Sequence, residues 1–174
     1  MIEMKNSSLI VYYSWIGSTE VVAKEIQRLT GFDIQKIEEK KNRTLGKIAG
    51  AAMGAFLGLK SSIKPMDFAL EEYENIFLGA QVWAGKTPPA INKYLQKASF
   101  KNKKVWLFLT KGDEKVPQQV IDSITKRIEQ KGGSVVDSIS ITTKWDPKVN
   151  LPIALEDVQE PIYDWLKRGG VLEE

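Results

Sequence analysis

The stretch Ser8 to Glu20, SLIVYYSWIGSTE, constrains the fold more than any other. Five branched and aromatic residues, Leu9 to Tyr13, pass into the polar, glycine-containing break Ser14-Trp15-Ile16-Gly17-Ser18-Thr19, and a helical pattern begins at once. Val22, Ile26 and Leu29 recur at i, i+4 and i+7 as one apolar stripe, while Lys24, Glu25, Gln27 and Arg28 are expected to face water and Gly31 to end the helix. This is a buried strand feeding a loop at a helix N-terminus. Such a junction offers unpaired backbone N–H groups and the positive end of a helix dipole. With hydroxyls on Ser14, Ser18 and Thr19 as further donors, it suits a phosphate.

The alternation continues along the chain. Phe32 to Ile37 reads as a second, edge-proximal strand that runs into the solvated turn Glu38-Glu39-Lys40-Lys41. A glycine-rich helical insertion follows at about residues 44–60, with Gly46, Gly50, Gly54 and Gly58 at every fourth position. Such spacing makes a shallow face, and each glycine costs about 0.8–1 kcal/mol of helix stability relative to alanine, so something must pack on it. Docking onto the protein's own fold is the first expectation and a homodimer through Gly46, Gly50, Gly54 and Gly58 the second. Membrane contact is not expected, and roughly a dozen residues between Lys47 and Lys60 are too few to span.

Asp67 to Tyr73 reads as a short helix with Phe68, Leu70 and Tyr73 inward, and Asn75 to Gln81 as a buried strand. Ala90 to Lys97 is a helix opened by Pro88 or Pro89, and VWLFLT after Lys104 is the most hydrophobic strand. Pro117 opens a helix with Val120, Ile121, Ile124 and Ile128 on its buried face, stopped by Gly132-Gly133. Ser134 to Ile141 is a less buried strand. The last helix carries Leu155, Val158, Ile162, Trp165 and Leu166, with Pro161 expected to kink or restart it.

Strands alternating with helices over 174 residues predict one α/β domain, 1–174, with a mostly parallel sheet covered on both faces. Ligands of a doubly wound sheet bind beyond the carboxyl ends of the strands, where the strand order reverses. Three loops leave such ends: Ser14 to Thr19, Val82 to Pro88, and Lys111 to Val116. Cysteine and histidine are absent, which removes disulfides, thiol chemistry, Ser-His dyads and the usual zinc or iron–sulfur sites; no metal site and no catalytic acid, base or nucleophile is assigned. Any redox chemistry must then come from an organic cofactor. A formal charge of +3, interspersed along the chain, does not indicate a nucleic-acid groove. No signal-peptide core or long apolar span occurs, so a cytoplasmic location is the default.

The stretch YYSWIGSTEVVAKEI resembles the phosphate loop of flavodoxins, whose pattern is a hydroxyl residue, any residue, Thr, Gly, any residue, Thr. Ser14, Gly17 and Thr19 match, whereas Ile16 stands where the family has threonine. The segment GAQVWAGKTPP is similar to the second loop of a flavodoxin-like subfamily. The resemblance covers essentially the whole chain and implies a five-stranded parallel sheet in the order 2-1-3-4-5, binding FMN without a covalent bond. It implies a phosphate site at Ser14, Trp15, Ile16, Gly17, Ser18 and Thr19. Val82, Trp83, Ala84, Gly85 and Lys86 would lie along one face of the flavin ring, with Trp83 stacking and the Gly85 peptide beside N5. Thr110, Lys111, Gly112 and Asp113 would flank the other side. Lys86 and Lys111 would set a neutral-to-positive field favouring acidic or quinone-like acceptors, so the expected partner is a redox protein or a small-molecule electron acceptor.

Three functions compete. The first is an FMN-dependent electron carrier or small oxidoreductase of the quinone-reductase kind. The second is a flavodoxin-fold binding or regulatory module without flavin, suggested by Ile16 and by the charged loop Lys111 to Lys115. The third is a P-loop-like nucleotide binder through Ala80 to Thr87, AQVWAGKT, which Pro88 and Pro89 disfavour because they lack the N–H groups a phosphate would need.

Overall fold

A computed structural model describes residues 7–41, 60–144, 146 and 148–173. The glycine-rich segment from Gly46 to Gly58, and with it the expected homodimer face, lies outside the described residues. The elements are β1 (Ser8–Tyr13), α1 (Ser18–Thr30), β2 (Asp33–Ile37), β3 (Asn75–Gln81), α2 (Pro89–Lys97), β4 (Lys104–Lys111), α3 (Gln118–Glu129), β5 (Ser134–Thr142) and α4 (Glu156–Arg168). All neighbouring strands pair in parallel, in the order β2-β1-β3-β4-β5.

The central strands are continuous apolar runs because both of their faces are covered. On one face Val11, Leu78 and Leu107 meet Ile91 and Tyr94 of α2 and Ile124 and Ile128 of α3. On the other, Ile10, Phe77 and Phe108 meet Val22 and Ile26 of α1 and Val158, Ile162 and Trp165 of α4. Phe77 stacks on Trp106 with ring centroids 5.5 Å apart, and Trp165 closes edge-on against both rings at 6.0 Å. The Trp165 indole N–H donates to Asp137 Oδ2 at 3.0 Å, tying α4 to the outer strand β5. The central layer also needs one side chain to be missing. Gly79 pairs with Phe108 across β3 and β4, and a Cβ at Gly79 would lie 2.2 Å from the Phe108 ring.

Three local expectations are corrected. Residues 67–73 form no helix: Asp67 Oδ1 accepts the Ala69 N–H at 2.8 Å and Leu70 O accepts the Tyr73 N–H at 3.0 Å, two local turns that still bury Leu70. Glu25, expected to face water, is 2% exposed and receives both Nε and Nη2 of Arg28, at 2.8 and 2.7 Å. A bidentate partner lets a carboxylate lie flat against the helix with its charge answered. Pro161 does not restart the last helix, which runs through it from Glu156 to Arg168.

Candidate functional site

The strand order reverses between β1 and β3, and there the three loops enclose a cleft of about 580 Å³. The first loop is held from three sides. Ser14 Oγ accepts the Gly17 N–H at 3.1 Å, and Gln81 Oε1, at the end of β3, accepts the Trp15 N–H at 2.7 Å. Ser18 Oγ accepts the Ile153 N–H at 3.0 Å, from a segment 135 positions away. Gly17 caps α1 at φ 112°, a conformation glycine adopts without the penalty a Cβ brings. Behind it, the first-turn N–H groups of Ser18, Thr19 and Glu20 have no intrahelical acceptor, and no side chain among the described residues caps the helix.

The hydroxyls divide into two kinds. Thr19 Oγ1 and Thr110 Oγ1 lie 2.8 Å apart and are buried, so this pair bolts α1 to the end of β4. Ser14 and Ser18 each accept a backbone N–H, which leaves each hydroxyl proton to be donated elsewhere. Glu20, in the first turn, would repel an anion placed there. Lys36 and Lys24 pair with it at 2.7 and 3.1 Å. Burial pushes the Glu20 carboxyl up, but the hydrogen bonds from these two lysines outweigh it and hold it below its ordinary value.

The second loop is a tight reversal. Trp83 and Lys86 exchange both main-chain hydrogen bonds, at 3.0 and 2.9 Å, and the two residues between them, Ala84 at φ 48° and Gly85 at φ 70°, are left-handed as a type I′ turn requires. For Ala84 that backbone costs about 1–2 kcal/mol, and such strain collects at functional sites. Trp83 is 9% exposed and stands edge-on to Tyr13 and Trp15, with centroids 5.9 and 5.5 Å apart. It therefore belongs both to the core and to the wall of the cleft. The Tyr13 hydroxyl donates to Glu39 Oε2 at 2.7 Å, which fixes the ring on which Trp83 leans. The N–H groups of Val82, Trp83 and Lys86 are all spent on protein carbonyls, and Pro88 and Pro89 open α2. Three N–H groups of the segment Ala80 to Thr87 are thus withdrawn from the cradle a P-loop would form.

The third loop turns on Lys111. Its side chain is 7% exposed rather than solvated, and Nζ donates to Asp113 O at 2.6 Å and to Thr142 Oγ1 at 2.8 Å. Asp113 Oδ1 in turn accepts the Lys115 N–H at 3.0 Å. A cation is thereby built into the cleft wall, while Lys86 and Lys115 are exposed around it.

Of the residues expected at the site, Trp15, Ile16, Ser18, Val82, Trp83, Ala84, Gly85, Thr110, Lys111, Gly112 and Asp113 line the cleft. Ser14, Gly17 and Thr19 brace the first loop from behind. Lys86 holds the second loop through its main chain. Gln81, Lys115, Pro117, Gln118 and Thr143 also line it and had not been singled out. Gln81 carries a readable signal, a polar residue ending an otherwise apolar strand; the others become neighbours only through the sheet.

A family model described as Flavodoxin matches residues 57–144, half of the chain. No curated protein matches it. Among solved structures, a Bacteroides uniformis protein classed as a candidate flavoprotein is 18% identical, with TM-score 0.76 over 93% of this chain and 98% of the other. A Bacteroides eggerthii candidate flavoprotein is 19% identical, with TM-score 0.73 over 93% and 96%. A Lactobacillus acidophilus flavoprotein in complex with FMN is 20% identical, with TM-score 0.61 over 78% and 93%. At these identities the structural likeness speaks for the fold, and it is the sequence model, laid over the sheet order and the two helix layers described above, that shows the chain to belong to the flavodoxin family.

Proposed function

We propose that the cleft holds FMN non-covalently and that the protein passes electrons between a donor and an acceptor. The observation that carries this is the meeting, in one cleft, of an uncapped helix N-terminus at one end and the braced Trp83 at the other, with Lys111 in the wall. The residues fit the cofactor: free N–H groups and two oriented hydroxyls suit a phosphate, and an apolar wall suits a flavin ring. The L. acidophilus relative is an FMN complex, and a Fusobacterium nucleatum flavodoxin of 14% identity is bound to the same cofactor. FMN would supply the redox chemistry. The chain's part is to bind the phosphate, orient the ring and exclude water from it.

The decisive experiment is to purify the protein, release any pigment and identify it, then offer FMN to the stripped protein. Bound or recaptured FMN is expected. Absence of both would leave the second function, a flavodoxin-fold binding module. No helix among the described residues is long and apolar enough to cross a membrane. The buried Lys111 and the exposed Lys86 and Lys115 favour acidic redox proteins or quinone-like acceptors as partners.

The phosphate loop makes a separate prediction. With Thr19 turned inward to Thr110 and no hydroxyl at Ile16, Ser14 and Ser18 remain as the loop's hydroxyl donors. Restoring one by Ile16→Thr should tighten FMN by the value of a charge-assisted hydrogen bond, about 1.5–3 kcal/mol, and leave riboflavin, which has no phosphate, unaffected. Calorimetric titration of both ligands checks this; equal gains for the two would place the phosphate elsewhere.

A further inference from the structure

We propose that Lys111 is the counter-cation for the charge a bound flavin ring acquires with its second electron, and that the cleft therefore favours moving electrons in pairs. The inference rests on the FMN site proposed above and assigns to one residue of it the choice between one-electron and two-electron behaviour.

Strand β4 runs neutral from Val105 to Thr110 and ends on a cation. Lys111 pairs with Thr142 of β5, and its carbonyl accepts both the N–H and the hydroxyl of Thr143, at 2.8 and 3.2 Å, so its backbone is fixed. The Thr110 carbonyl accepts the Val82 N–H at 2.8 Å, which sets the start of the third loop beside the loop that carries Trp83. Lys111 is buried in the cleft wall, yet both partners of its ammonium are neutral, the Asp113 carbonyl and the Thr142 hydroxyl. No carboxylate among the described residues pairs with it. Asp113 turns its carboxylate to the Lys115 N–H, and Glu114 reaches the Thr142 hydroxyl at 3.5 Å rather than the ammonium. A buried charge without a counter-charge is costly to keep. A strut between two neutral oxygens needs no charge, whereas an anion in the cleft would offset that cost. Of the three ammonium N–H groups, two are spent on these oxygens and one is left for a ligand.

An oxidised flavin ring is neutral. Its first electron, taken up with one proton, leaves it neutral; its second, taken up alone, leaves one negative charge. Both electrons come from a low-potential donor, dithionite in the test below. Only the second step creates a charge for Lys111 to answer, so the cation makes that electron easier to add. An opposite charge within about 4–6 Å shifts such an equilibrium by about one to three decades. A ring that has taken one electron then takes the next, and the one-electron form does not build up. Lys86 and Lys115, exposed to water, are screened and contribute little.

The test is a dithionite titration of the FMN-loaded full-length protein against reference dyes in mildly alkaline buffer, followed by absorbance. The unaltered protein is expected to pass from oxidised to fully reduced with little one-electron form. Lys111→Met should make the second electron at least tenfold harder to add, a fall of about 59 mV, and let the one-electron form accumulate. Lys111→Gln, which keeps a donor for the strut and removes the charge, should do the same if the methionine variant folds poorly. Lys111→Arg should restore the unaltered behaviour, and Lys115→Met should shift the second step less than threefold. A merely structural lysine would weaken oxidised and reduced FMN alike and leave the potential where it was. A second potential moved less than threefold by both neutral variants would overturn the proposal, as would a one-electron form that dominates midway through reduction of the unaltered protein. If no FMN binds, the flavin site itself is wrong and the role of Lys111 falls with it; FMN bound with unmoved potentials would spare the site and remove only that role.

Discussion

Trp83→Ala should lower stability by about 3–5 kcal/mol and abolish retention of flavin. The indole is nearly buried, and its removal opens a void between Tyr13 and Trp15, whose edges it supports. The two losses can be separated. Trp83→Phe keeps an aromatic plate and most of the packing, so it should recover more than half of the stability while binding flavin less tightly than the wild type. Denaturant melts of the flavin-free proteins give the first quantity and flavin titration the second. If the alanine variant melts like the wild type, Trp83 is a surface residue and the described packing is wrong.

Gly79→Val should be nearly as damaging, at about 3 kcal/mol, for the opposite reason. Nothing is lost; two β-branched methyls are forced onto a fully buried ring whose near edge already lies 2.2 Å from where a Cβ would stand. Phe108 cannot swing away, because α1 and α4 pack on the same side of the sheet. Shortening that ring should therefore rescue the variant: Gly79→Val with Phe108→Leu is expected to be more stable than Gly79→Val alone, a coupling of about 1 kcal/mol or more. Additive losses would mean that the two side chains do not compete for the same space.

The fold was legible in the sequence where burial is two-sided. The runs Leu9 to Tyr13, Ile76 to Ala80 and Val105 to Leu109 are apolar because both neighbours of the sheet are helices, and no turn chemistry competes with them. Where one face meets water the signal weakened. Phe68, Leu70 and Tyr73 carry helix-like spacing, yet Asp67 satisfies the Ala69 N–H through its side chain and the backbone turns instead. Glu25 misled because its sequence position says nothing of the bidentate Arg28 that lets it lie buried.

The site divides in the same way. Loops at the carboxyl ends of β1, β3 and β4 could be located, since chain order and strand direction suffice for that. The state of their side chains could not. Thr19 was expected to face a phosphate and instead meets Thr110, ninety-one positions on, while Lys111, expected to flank the flavin ring, is in addition a buried strut between Asp113 and Thr142. Both facts depend on pairs that only the assembled sheet brings together.

The bond from Ile153 to Ser18 also has a bearing on how the protein matures. The first loop leaves the ribosome 135 residues ahead of Ile153, so this end of the cleft cannot be complete until that residue has emerged. Closing a span of 135 residues is a late, entropically costly event. Completion of this end of the cleft accordingly waits until α4 has docked on α1.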